Sequence, residues 1–261
     1  MQKKNTCKNC NSLNINNFCS DCGQPVFKTR FTIKYFFKSL LSAFDLEKGF
    51  LYTAKMLFIQ PGKVTNDYIN GRTKPYFNPL KYLLVVGGIY AFLILWLGIF
   101  DAGLETVSGI YAHGPAQENS EKLLRLQEKW LHFYRQIINF IPLLMIPFIS
   151  IATKRFYKSR GLLYGEHLII NSYIFVQTFL ILIFLTPLVI VFPAMIHYFP
   201  FITVIIIIGY FSYALSGTFR ESFIRSVLGS FFSLFTGYLL FILLFMFIII
   251  SVIVITIITN Q

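Results

Sequence analysis

From Val227 to Ile258 the chain runs 32 positions without a charged side chain. A membrane span needs about 20 mostly apolar residues, so a stretch of this kind is the signature of a helix in lipid. The rest of the composition agrees. Hydrophobic residues make up 56% and charged residues 13%, against about 45–50% and about 25% in soluble domains. Such a chain is too apolar for an ordinary soluble domain or for disorder. With 16 Gly and 4 Cys it is neither collagen-like nor a disulfide scaffold.

Five spans are expected, over about 80–100, 137–153, 168–191, 199–216 and 227–258. The apolar stretch from Leu168 to Leu215 is too long for one span and right for two. Its prolines Pro187, Pro193 and Pro200, with His197 and Tyr198, mark the turn. The second span is short and carries Pro142 and Pro147, which neighbouring helices tolerate in a membrane.

Charge sets the expected orientation. There are 23 Lys and Arg against 11 Asp and Glu, for a net charge of +12. Thirteen of the basic residues lie in 1–81, four in 153–166 and two in 217–226, and only four lie in the 102–136 connection. Basic residues flank spans on the cytoplasmic side. The N-terminus is therefore expected in the cytoplasm and the C-terminus outside, in the cell inner (plasma) membrane. The first 30 residues hold no apolar run of signal-peptide length. Within the outer connection, residues 121–136 read as an amphipathic helix lying on the membrane or the bundle. No internal repeat is evident.

All four cysteines fall within residues 7–22, as Cys7-Lys8-Asn9-Cys10, eight residues, then Cys19-Ser20-Asp21-Cys22. In a reducing compartment clustered cysteines are metal ligands rather than disulfides. Two C-x2-C knuckles offer the four thiolates of a closed, structural Zn²⁺ site; an iron–sulfur centre or a redox dithiol pair is the minority reading. Gly23 and Asn11 follow the two pairs, where a knuckle needs positive φ. Some 24 residues make no core, so the metal would supply the folding energy.

Residues 29–48 show helical amphipathicity, with Phe36, Phe37, Leu40, Leu41 and Phe44 beside Lys34 and Lys38, as in a helix drawn to anionic head groups. A second helix is expected over about 49–59. Pro61-Gly62 reads as a break, Val64–Asn70 as two helical turns and Gly71 as their stop. Gly62-Lys63 lacks the preceding glycine and strand of a phosphate loop. Lys63, Arg72 and Lys74 are candidate lipid-phosphate contacts; nucleic acid is not expected as a partner.

Glu166 opens the third span, and His167, Asn171, Ile174 and Thr178 fall on one helical stripe. Polar groups at membrane depth face the bundle interior and mark candidate sites. Glu166, His167, Asn171 and Thr178 are thus either a polar intramembrane site or helix-to-helix hydrogen bonding plus an N-terminal acid favourable to the helix dipole. There is no H-E-x-x-H, G-x-S-x-G or intramembrane pair of aspartates, so no catalytic residue is assigned and no enzyme is expected.

Several motifs together resemble a known group. They are Cys7, Cys10, Phe18, Cys19, Cys22-Gly23-Gln24, then Asp45-Leu46-Glu47-Lys48-Gly49-Phe50, Pro61-Gly62-Lys63, Tyr68-Ile69-Asn70-Gly71-Arg72, Tyr76-Phe77-Asn78-Pro79 and Glu166-His167-Leu168. The chain resembles an uncharacterised bacterial domain-of-unknown-function family of multi-pass membrane proteins with an N-terminal four-cysteine zinc ribbon. Asn11 stands where such ribbons commonly have Gly. The resemblance implies an architecture and carries over no activity. The expected fold is an all-α polytopic membrane helical bundle of about five transmembrane helices with a small zinc ribbon. It divides into ribbon 1–24, basic juxtamembrane region 25–79 and transmembrane domain 80–261. The expected function is non-enzymatic, with the ribbon docking a protein partner and the bundle contacting membrane lipids; the alternative is transport or lipid handling along the polar stripe.

Overall fold

The computed structural model describes residues 6–13, 17–25, 49–103 and 141–259. The described elements are helical: α1 (Phe50–Ile59), α2 (Pro61–Ile69), α3 (Pro79–Trp96), α4 (Ile141–Phe156), α5 (Tyr164–Val191), α6 (Phe199–Phe219) and α7 (Phe223–Thr259). Among the described residues strand pairing is limited to two isolated bridges in the cysteine-rich head. The expected helices at 29–48 and 121–136 lie outside the described residues.

Four helices are long and apolar enough to cross a membrane: α3, α5, α6 and α7. The expected span at 137–153 corresponds to α4, whose 16 residues include Pro147; it falls short of that length within the described residues. The last apolar run is one continuous helix of 37 residues. At about 1.5 Å per residue it is about 55 Å long, well beyond a hydrocarbon core of about 30 Å. Tilt or protrusion must absorb the excess.

Helix starts follow local chemistry. Asn78 caps α3 by accepting from Leu80 N and Lys81 N at 3.0 and 3.2 Å, and Pro79 occupies the first turn. Glu166 accepts from Leu163 N at 2.6 Å, so α5 begins at Tyr164 rather than at 168. Pro61-Gly62 is not a break: both residues open α2, with Pro61 at the first helical position, and the chain turns at Gln60 instead (φ −144°, ψ 65°). Gly71 does end the turn after α2, at φ 91°.

The helix α5 is the centre. Every residue from 165 to 179 is buried, so the helix is enclosed all round over its first four turns. It packs against α3, α4 and α6, while α7 closes over α4 and α6. The α7 seam is made of small residues. A Cβ on Gly237 would stand 2.6 Å from Ile149 Cγ1 and 2.8 Å from Ile149 Cα, so α7 approaches the α4 backbone directly. Its other face presents Phe231, Phe235, Leu243 and Phe247 outward, as a lipid-facing surface does.

The hairpin of α1 and α2 is too short to span. It wedges into one end of the bundle. Tyr210 Oη donates to Leu57 O at 2.9 Å and Tyr213 Oη to Ile59 O at 2.7 Å, which satisfies carbonyls left open at the end of α1. On the other side α2 meets α6 glycine to glycine, at Gly62 and Gly217. Arg160 pairs with Glu221 at 2.6 Å, joining the α4–α5 turn to the α6–α7 turn. The basic segments 153–166 and 217–226 therefore share this end, as the charge pattern expects of one membrane side.

Candidate metal centre

The four cysteines are presented by two knuckles with the same hydrogen bonding. In the first, Cys7 N donates to Ser12 O (2.7 Å) and Asn11 N to Cys7 O (2.9 Å); in the second, Cys19 N donates to Gln24 O (2.8 Å) and Gly23 N to Cys19 O (2.9 Å). The bridges Thr6–Leu13 and Phe18–Pro25 close each copy. Asn11 and Gly23 both take left-handed backbone, φ 62° and 66°, so Asn fills the role of glycine in the first knuckle. A local repeat offset by twelve residues is thus present in the backbone, extending the paired C-x2-C motifs where no internal repeat of greater length is expected. Identical backbone geometry arises from different residues wherever cysteine and the left-handed position are kept.

The sulfur atoms converge. All four Sγ lie within 4.8 Å of one another. Cys7 Sγ to Cys22 Sγ is 3.7 Å and Cys10 Sγ to Cys19 Sγ is 3.6 Å. A tetrahedron of thiolates about 2.3 Å from a central ion has edges of about 3.8 Å. The cross-knuckle pairs match that edge and are far longer than a disulfide, so the donor set fits a tetrahedral, thiophilic ion. With four protein ligands it leaves no open coordination position.

Ser12 supports the sulfurs. Its hydroxyl lies 3.0 Å from both Cys10 Sγ and Cys19 Sγ. That hydrogen bond, then the Cys22 amide, pulls the Cys19 thiol down to about 6, in the range of thiols that ionise at neutral pH. Cys7 and Cys19 are buried and Cys10 is exposed.

The head is seated on the turn between α2 and α3. Gln24, 2% exposed, donates through Nε2 to Gly71 O and accepts from Lys74 N through Oε1 at 2.8 Å. Arg72 Nε donates to Asn9 Oδ1 at 3.3 Å. The turn is in turn tied to the helices. Arg72 pairs with Asp67 at 3.5 Å, and Tyr76 Oη donates to Asp67 Oδ2 at 2.8 Å. Burial, with Asp67 adding to it, pushes the Tyr76 phenol up from its ordinary value. Phe77 N donates to Thr53 Oγ1 (2.7 Å), and Tyr173 Oη of α5 donates to Phe77 O (2.6 Å).

The other sequence-derived candidates fall in two places. Arg72 is engaged by Asp67 and Asn9, while Lys63 and Lys74 are exposed. On α5, Glu166 holds its own helix start. Asn171 Nδ2 donates to Ser150 Oγ (3.0 Å) and Thr153 Oγ1 (2.9 Å) of α4, and Thr178 Oγ1 donates to Phe175 O one turn back. His167 is buried, 1% exposed, with its ring stacked 5.8 Å from Phe219. Its two ring nitrogens and Asn171 Oδ1 meet no hydrogen-bond partner among the described residues; ordered water ordinarily meets such atoms. Sequence reasoning gave no role to Ser12, Thr53 or Tyr173, and named Gln24 only as part of the motif that carries the family resemblance. Their shared signal is a polar group beside a motif or inside an apolar helix, which must find a partner when buried.

Residues 47–91 match the model of a family described as a protein of unknown function (DUF3667). The match covers α1, α2, the turn that seats the head, and most of α3. No curated protein and no solved structure matches the chain.

Proposed function

We propose that this is a non-enzymatic integral protein of the inner membrane, whose head is a structural zinc ribbon on the cytosolic face that docks a protein partner. The observation that carries the reading is the convergence of four thiols, all Sγ within 4.8 Å, on a head built from too few residues to have a core. Four thiolates and one Zn²⁺ leave net negative charge, and Lys8, Arg72 and Lys74 lie in or under the head to offset it. A closed site of this kind supplies folding energy rather than a reacting water. The basic excess on the head-bearing end supports a cytosolic placement. Leu13 and Phe18 are 55% and 63% exposed, and apolar side chains left open on so small a unit support a docking role.

Elemental analysis of purified protein tests the metal: one zinc per chain is expected, and none in Cys22→Ser. Crosslinking in cells followed by affinity purification tests the docking. The Leu13→Asp/Phe18→Asp variant is expected to keep its zinc and lose the crosslinked partner. An identical crosslinked set from wild type and variant would refute docking through the head.

A further inference from the structure

The two knuckles are copies that differ in how they use one position. Ser12 and Gln24 follow the positive-φ residue and lend their carbonyls to Cys7 N and Cys19 N respectively. Ser12 turns its side chain inward, to the sulfurs of Cys10 and Cys19. Gln24 turns its side chain away from the sulfurs and onto the membrane domain, gripping both ends of the 71–74 turn through Gly71 O and Lys74 N. One residue therefore closes the second knuckle with its backbone and holds the bundle with its carboxamide.

We infer that Gln24 is a metal-dependent clip, through which occupancy of the four-cysteine site holds the 71–74 turn against the bundle. The inference rests on the metal reading above and goes beyond it, because the metal then acts on the membrane domain as well as on the head. With the ion in place, Cys19 and Cys22 are fixed, and the carbonyl of Gln24 is locked to Cys19 N. The carboxamide is then presented in one place, and a long, rotamer-rich side chain needs little further ordering to make its two bonds. Without the ion, a unit of this size has nothing to hold the knuckle, and the same two bonds must order backbone and side chain together. The grip falls on the first link of a connected line. From the turn, Phe77 reaches Thr53 of α1 and Tyr173 of α5, and Tyr173 packs edge-on to Tyr68 of α2 at 5.5 Å. A physical coupling between sites needs such a chain of packed and hydrogen-bonded groups.

Amide hydrogen exchange on the full chain in lipid nanodiscs tests this, because the Lys74 amide has the Gln24 side chain as its acceptor. Four samples are compared over the 71–78 peptides: zinc-loaded wild type, chelator-treated wild type, zinc-loaded Gln24→Ala and chelator-treated Gln24→Ala. Two shielded hydrogen bonds at ordinary net strength correspond to an increase of about thirtyfold in exchange. That increase is expected in chelated wild type and in zinc-loaded Gln24→Ala, with zinc content unchanged in Gln24→Ala and exchange in α7, which lies off this line, unchanged in all four. Chelating Gln24→Ala adds no further increase. Slow exchange retained in chelated wild type, or in zinc-loaded Gln24→Ala, overturns the clip while leaving the metal site intact. Wild type that carries no zinc overturns both, and is recognised by its metal content alone.

Discussion

Replacing Gly62 by alanine places a methyl group where two helices touch. A Cβ at Gly62 would fall inside van der Waals contact of the Gly217 carbonyl carbon and oxygen, and 2.6 Å from Thr218 N. These are backbone atoms of α6 and cannot rotate away. Carbon contacts settle at about 3.5–4.0 Å, so α2 must back off by more than about 1 Å. Two hydrogen bonds across the same crossing are stretched with it: Thr65 Oγ1 to Thr218 Oγ1 at 2.9 Å, and Asn66 Nδ2 to Thr218 O at 3.0 Å. Overpacking costs about 1–3 kcal/mol, and each lost bond about 1 kcal/mol. The helix preference of alanine over glycine returns about 1 kcal/mol, leaving a net loss of about 2–4 kcal/mol. Gly88→Ala is the matched control, since a Cβ there meets nothing within 4 Å. Detergent-purified variants heated and then separated by size exclusion give the comparison. Gly62→Ala should lose its monodisperse peak at clearly lower temperature than wild type, and Gly88→Ala should not. Equal midpoints for the two variants would refute the close crossing of α2 and α6.

Further outcomes follow from the same packing. Asn171→Leu removes the two bonds that Asn171 Nδ2 donates across the α4–α5 seam, leaving the Ser150 and Thr153 hydroxyls only their own bonds to His167 O and Ser150 O, and should lower thermal stability by about 1–3 kcal/mol, whereas Thr178→Val, which removes a bond within one helix, should have a smaller effect. Tyr173→Phe removes the 2.6 Å bond to Phe77 O and should cost about 1 kcal/mol in the same melting assay. Gly237→Ala drives a methyl into the α4 backbone at Ile149 and should destabilise as Gly62→Ala does, while Gly209→Ala, with open space around it, should not. Arg160→Ala breaks an exposed pair with Glu221 and should shift the midpoint by less than the equivalent of about 1 kcal/mol.

Helix type and position were legible because apolar length is a strong signal. The boundaries were less so, because they are set by single polar groups. Glu166 moves the start of α5 to Tyr164 by accepting from Leu163 N; an acid favourable to the helix dipole was legible in the sequence, but which amide it caps was not. Pro61-Gly62 reads as a break for the same kind of reason: proline ends a helix from within but opens one from its first position. The cysteine positions and the positive φ of Asn11 and Gly23 were legible, since both follow from local geometry. What the head rests on was not, because its partners lie 47 and 50 positions further along the chain.

The motifs behind the family resemblance looked unrelated along the chain, and the structure brings many of them to one junction. Gly49, at φ 129°, lets α1 begin against the 75–77 backbone, where a Cβ would stand 3.0 Å from Pro75 O. Phe50 then fits edge-on to Phe77 and Tyr82, at 5.6 and 5.1 Å. Gly62 admits α6, Gly71 supplies a carbonyl to Gln24, Arg72 holds Asn9 and Asp67, and Asn78 caps α3. These residues are glycine, asparagine, arginine and aromatics rather than aliphatics because the junction is made of close backbone approaches, caps and turn hydrogen bonds. The same need explains why this stretch looks mixed and basic beside the apolar spans. Its chemistry is that of a seat between a small polar head and a bundle, and Gln24, Gly71 and Arg72 sit where those two bodies meet.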